Sequence, residues 1–425
     1  MVPGISPGAK PISMKTKMLI LGLIFLLVSC VKEEELCQTP FSPPVEPEDS
    51  LVIWQIPLRS DSMLYSSIET ELVGDAVLYS SQSVEFVENE TIKLARGWDG
   101  KLVWEWEDYI NPIVGQRITN YVIEGELLVA NSHQDNYGID IGTGQSIWST
   151  LVDYGKPFIS DFEGKIFHTV KYGNGPYGDS TSVLICDSSR GDWSEVLKFR
   201  NMDFEDYEIT FHNPAAFIND IGDTLLILKL EQITIAPFDS RLDVYCYNMT
   251  QDKMVWSHRQ FDPYGGANIR PPLIEGDYVY YVGVFEVYCL NKNTGEVQWK
   301  WGYPETRHSL QGNNFLLYQD KLIIKRGNGL LYALDKHTGA EQWVQEDAGS
   351  SGTEMRIYGN RLYFGSGKIF IIDLDTGETI YKIRTPNLSS RFPQADFLNA
   401  ITVDEANQRM YTTDGYFLMC MRLPE

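Results

Sequence analysis

Six histidines, six cysteines and a large excess of acids are the groups in this 425-residue chain that could carry chemistry. Metal binding needs two or more such side chains at short, fixed spacing, so that one turn or strand presents them to one ion. His133, His168, His212, His258, His308 and His337 stand in six separate regions, with no HxH or HExxH between them. Cys186, Cys246, Cys289 and Cys420 fall singly on apolar runs, with no adjacent pair and no CxxC. A free cysteine on such a run acts as a small buried apolar residue. His337 sits within a polar turn and reads as solvated. There is no nucleophile elbow, no phosphate-cradling loop, and no carboxylate pair that stands out from an acidic surface. Metal: none; cofactor: none; catalytic residue: none; a non-catalytic scaffold is the expectation.

Charge narrows the partners. With 35 Lys+Arg against 58 Asp+Glu, the formal net charge is −23, a surface that repels phosphate backbones, so nucleic acid is excluded as a partner. A chain that is 43% hydrophobic and 12% aromatic has ample apolar surface for a packed core.

The N-terminal residues read as an address. Lys15 and Lys17 precede an apolar stretch from Met18 to Val28, about half of what a bilayer crossing needs. Leu27-Val28-Ser29-Cys30 resembles the lipobox of bacterial lipoproteins, which implies lipid attachment at Cys30. Residues 1–29 are therefore expected to be a signal-peptide region, with translation starting at Met14. Their removal takes away three lysines and no acid, leaving −26. Residues 30–48, with Pro40, Pro43, Pro44 and Pro47, read as a lipidated flexible tether, and 49–425 as the folded body. Val31-Lys32-Glu33-Glu34-Glu35 resembles a surface-export tag of one group of Gram-negative lipoproteins. The expected location is the outer membrane, facing the periplasm or the cell surface. Cys37 lies in the tether and has no assigned role.

The body is one motif repeated. Asp140–Trp148, Asn291–Trp299, Asp335–Trp343 and Asp373–Tyr381 each hold a Thr-Gly turn and place an aromatic residue eight positions after the acid or amide. Looser copies contain Trp104, Trp193 and Trp256, and the period is about 46 residues, in the range of propeller blades. Eight further tight turns, at Gly74-Asp75, Gly125-Glu126, Gly164-Lys165, Gly222-Asp223, Gly276-Asp277, Gln319-Asp320, Gly359-Asn360 and Ala406–Gln408, mark hairpins between alternating apolar runs. Each unit thus reads as strand A, tight turn, strand B, variable loop, strand C, Thr-Gly turn, strand D. The eighth unit lacks strand D, while Leu51–Pro57, carrying Trp54, has the look of a strand D with no unit before it. The fold class expected is all-β: an eight-bladed β-propeller of four-stranded antiparallel blades, roughly 32 strands, closed by the N-terminal strand joining the last blade.

These repeats resemble the PQQ-like, quinoprotein dehydrogenase-type repeat family. The resemblance implies that Trp104, Trp148, Trp256, Trp299, Trp343 and Tyr381, with Gly144, Gly295, Gly339 and Gly377, dock neighbouring blades. They would build the fold and are not cofactor ligands. Enzymes of the family carry an adjacent cysteine pair, calcium-binding carboxylates and an aspartate base, and this chain has no adjacent cysteines. In length, anchor and repeats it resembles the propeller lipoproteins of the outer-membrane β-barrel assembly machinery.

Loop length is asymmetric. The A–B and C–D turns are short, whereas the long segments all join B to C or D to the next A, which puts them on one face. They carry Tyr137, Tyr177, Tyr207, His212, Tyr264, Arg270, Arg307, His308 and Arg391, the residue types of a recognition surface. The expected function is a membrane-anchored scaffold that binds a protein or polymer on that face. The alternatives are a PQQ-dependent dehydrogenase and a surface glycan-binding protein.

Overall fold

Tight polar turns between alternating apolar runs produce antiparallel hairpins along the whole body. In a computed structural model the described residues are 51–58, 64–65, 68–83, 90–109, 118–132, 135–151, 158–172, 180–200, 208–235, 238–262, 264, 270–304, 308–389 and 391–425. The signal region, the tether and Cys30 lie outside them. The chain divides into Met1–Pro44 and Val45–Glu425, and the second unit holds every described strand. These strands form eight antiparallel sheets, the blades of a β-propeller, with no helix among the described residues.

Blade 2 is a plain copy: Asn120–Glu124, Leu127–Ser132, Asp135–Asp140 and Ser146–Leu151 pair in chain order. Among the described residues the count is 34 strands, two above the sequence expectation of 32, because two inner strands are broken. In blade 1 Leu64–Tyr65 and Glu71–Val73 share strand Ala76–Ser83, and in blade 4 Glu208–Phe211 and Ala215–Ile218 share strand Thr224–Ile235. The eight A–B turns fall at the eight places read from the sequence. At six of them a glycine takes φ of +56 to +88°, while Gln319 and Gln408 enter the same left-handed region at about +52 and +55°.

Ring closure follows from the first strand. Val52–Pro57 pairs antiparallel with Phe417–Arg422, making the outer strand of blade 8. Trp54 then reaches blade 1, its Nε1 donating to Gly97 O at 3.0 Å and its ring lying on Gly100. No bare edge is left where the two ends of the body meet.

One device is repeated between blades. The strand D tryptophan donates its indole N–H to a carbonyl in the next blade's C–D turn: Trp104 to Ile141, Trp148 to Ser188, Trp256 to Lys292, Trp299 to Lys336 and Trp343 to Leu374, at 2.7–3.1 Å. The ring lies flat on that turn's glycine. A Cβ at Gly144 would sit 2.5 Å from the Trp104 ring, and at Gly295, Gly339 and Gly377 it would sit 2.6–2.7 Å from Trp256, Trp299 and Trp343. Tyr381 replaces tryptophan where blade 8 has chain ends instead of a C–D turn, and its hydroxyl donates to Glu425 O at 2.6 Å.

The seam between blades 3 and 4 lacks this device. Blade 4's turn after Asn248 has no glycine, and Asp252 holds φ +50° there. Trp193 faces back toward blade 2, packed beside Trp148, Ile166 and Cys186, with its indole N–H unpartnered. The seam is filled by Phe167, Val183, Phe199, Phe211 and Tyr245 instead. Cys186 shares this displacement. Cys246, Cys289 and Cys420 sit opposite the strand D tryptophan and take the place of Ala333, whereas Cys186 lies on the other face of its sheet. All four thiols are buried and free, and burial pushes each up to about 12.

Candidate functional site

The B–C and D–A connections lie at one end of the blades, and the A–B and C–D turns at the other. The largest departure from the plain repeat is at the connection end, where strands Thr224–Ile235 and Phe238–Asn248 run to 12 and 11 residues and pair to their tip. On this face Tyr264 is 46% exposed and edge-on to Phe285 at 5.0 Å. His308 is exposed, and its carbonyl accepts from Arg326 Nη2 at 3.0 Å. Arg391 is exposed and stacks over Phe392 at 5.2 Å.

Two residues expected on the surface are interior. Tyr137 is fully buried in an edge-to-face trio with Trp106 and Tyr109, at ring separations of 4.9–5.7 Å, because its run forms strand C and not a loop. His212 is 5% exposed, its Nε2 3.0 Å from Glu231 Oε2, and burial holds its pKa below the ordinary value. A broken inner strand draws the segment around His212 into the hub. Both leave the recognition face. Tyr177, Tyr207 and Arg307 lie outside the described residues.

The inner strands surround a cavity of about 670 Å³. It is lined by strand A segments of blades 1 to 5 and 7, mostly at their connection ends, including Glu69, Tyr121, Asp161, Asn213, Arg270 and Glu354. Arg270, read from the sequence as a surface residue, belongs to this wall. Its guanidinium pairs with Glu354; Glu354 Oε1 lies 3.3 Å from Arg356 Nε; Arg356 Nη2 lies 2.5 Å from Glu71 Oε1; and Tyr121 OH donates to Glu71 at 3.1 Å. The chain of charge thus runs from blade 5 through blades 7 and 1 to blade 2. Arg356 also donates to Thr70 O and Thr402 Oγ1 at 2.6 and 2.5 Å. Such mutual pairing offsets the cost of holding charge away from bulk water.

Two lysines position the ends of this chain. Lys229 Nζ donates to Arg270 O at 2.5 Å and Lys325 Nζ to Ser351 O at 2.9 Å, each from strand B of one blade to the segment leading into the next. Burial lowers their pKa to about 7 and about 8. Glu69 differs from the other carboxylates. It accepts Ala400 N–H at 2.6 Å, and burial raises it to about 7, with that bond and Arg356 working in the opposite direction. The sequence reading missed Glu69, Glu71, Glu354, Arg356, Lys229 and Lys325. Only Lys229 left a signal, as a single charge inside the apolar run Leu-Leu-Ile-Leu-Lys-Leu.

The residues present do not fit a quinone and its metal. The four described cysteines lie on four different strands, and the hub carboxylates Glu71 and Glu354 already hold arginines. No cluster of three His, Cys, Asp or Glu side chains suited to a metal ion occurs among the described residues.

Residues 240–417 match the family described as "Outer membrane protein assembly factor BamB". No curated protein matches the chain by sequence. Among solved structures, BamB from Moraxella catarrhalis is 15% identical, with a TM-score of 0.54 over 87% of this chain and 100% of its own. A europium-containing methanol dehydrogenase is 10% identical, with a TM-score of 0.60 over 88% of this chain and 93% of its own. The computationally designed Ika8 protein is 12% identical, with a TM-score of 0.59 over 86% and 99%. At these identities the likeness is one of fold alone. The repeats, the eight-bladed ring and the match over residues 240–417 together support a likeness to the PQQ-like β-propeller family.

Proposed function

We propose that the protein is a non-catalytic lipoprotein, anchored to the outer membrane through Cys30, that binds another protein or a polymer on its long-loop face. One observation carries this reading. Glu71 and Glu354 are taken up by Arg356 and Arg270, so the hub's paired charges serve the ring, while Tyr264, His308 and Arg391 stand exposed on the connections. The match of residues 240–417 to an outer membrane assembly factor family supports a role in protein assembly at that membrane.

The test is affinity capture from intact membranes with the wild-type chain and a Tyr264→Ala/Arg391→Ala variant. The expected result is a partner retained at least fivefold better by the wild type; equal recovery overturns the recognition face. Protease shaving of whole cells distinguishes a surface protein, which is cleaved, from a periplasmic one, which is protected. Fold neighbours include a dehydrogenase, so dye-linked oxidation is assayed with added quinone and calcium or a lanthanide. Turnover under those conditions overturns the non-catalytic reading.

A further inference from the structure

The C–D turns present one position, two residues after the acid or amide, at their tips. Five blades place Gly142, Ser189, Thr250, Asn293 and His337 there, and blade 7 has Asp375. Blade 1, where Arg96 stands in the place of the acid, has Trp98, which is 53% exposed. Its ring lies 4.5 Å from the Arg96 guanidinium, and Asp99 holds that guanidinium at 3.1 and 2.7 Å. A large aromatic residue is thereby set in the turn with about half of its surface left exposed.

The same turn leads into Leu102 and Val103, 53% and 49% exposed. Beside it begins the strand Val52–Pro57, with Ile53 43% exposed and Trp54 docked on Gly97 and Gly100. Leu51 O accepts Arg422 N at 2.7 Å, so the chain joins the ring at the tight-turn end, opposite the long connections. In a chain of net charge −23, this turn carries Arg96 and Lys101 against Asp99 alone, and Arg409 donates to its Gly97 O at 3.2 Å.

We propose that this tight-turn rim, where blades 8 and 1 meet, rests on a lipid surface with Trp98 seated in its interfacial layer. The inference rests on the anchoring reading above. Twenty residues separate Cys30 from Leu51, a stretch that spans at most ~70 Å when fully extended. The rim beside Leu51 is where that stretch enters the propeller. An exposed tryptophan flanked by aliphatic side chains and two cations matches the boundary between headgroups and acyl chains. The consequence is an orientation, with the long-loop face directed away from the membrane.

The test uses the full-length lipidated chain in phosphatidylethanolamine/phosphatidylglycerol vesicles with brominated acyl chains. In a Cys37→Ser background, an environment-sensitive dye is attached at Lys101→Cys, or at Asn293→Cys in the matching turn of blade 5. Quenching at 101 is expected to exceed that at 293 at least twofold. Trp98→Ser, and separately Leu102→Ser, should reduce quenching at 101 toward the level at 293 while the protein still floats with the vesicles. Equal quenching at the two sites in floating protein overturns the docking and leaves the anchor standing. Failure to float overturns the anchor itself and the docking with it.

Discussion

Gly144 and Trp104 show how much a single atom can decide in this ring. The glycine holds φ +72°, and the place of its Cβ is filled by the indole of the preceding blade. Gly144→Ala is expected to cost about 2–4 kcal/mol, from overpacking combined with an unfavourable backbone. Gly142→Ala, two residues away in the same turn, would meet nothing closer than Asp140 Oδ1 at 3.5 Å and should be nearly neutral. Denaturant unfolding of the two variants checks the contrast. Glu69 offers a pH signature. Its folded pKa of about 7 lies above the ordinary glutamate value of 4.5, so between those values the folded chain keeps a proton that the unfolded chain has lost. That mismatch destabilises the fold increasingly as pH rises from about 4.5 to 7 and is absent at lower pH. Glu69→Gln should therefore gain Tm relative to wild type across this window, with the two melting alike near pH 4.5. A constant difference at every pH would contradict the assignment.

At the scale of elements, the ring is a set of seams of unequal quality. Between blades 1 and 2, the indole bond and glycine contact are both present; between blades 3 and 4, neither is. Local opening should start at that seam. Amide exchange in Asp192–Arg200 and in the turn following Asn248 is expected to be at least tenfold faster than in Ser146–Leu151 and its partner turn. The first strand is the other exposed point. Trp54→Ala removes both the bond to Gly97 and the packing on Gly100, a loss of about 3–5 kcal/mol. Thermal unfolding should show it, and size-exclusion chromatography should reveal association through the freed edge of Phe417–Arg422.

For the molecule as a whole, two ends with different chemistry emerge. The connection end carries the long paired hairpin and exposed Tyr264, His308 and Arg391. The turn end carries Trp98 and the start of the first strand. A chain that binds partners at one end and lipid at the other would hold its recognition surface outward from the bilayer. Capture, shaving and vesicle quenching address these two ends separately.

The architecture was legible in the amino-acid order because it repeats. Turn glycines and strand D aromatics recur with a period of about 46 residues, and a missing last strand matched by an extra first one specifies closure. Such signals are local, set by turn conformation and by side-chain alternation along a strand. The hub was not legible. Glu71, Tyr121, Arg270, Glu354 and Arg356 are up to 285 positions apart and carry no common motif, and only ring closure brings their inner strands around one axis. The interior placement of Tyr137 and His212 and the reversed face of Cys186 have the same origin. One residue more or less before a strand begins turns a side chain from loop to core, or from one blade face to the other, and packing between blades decides which.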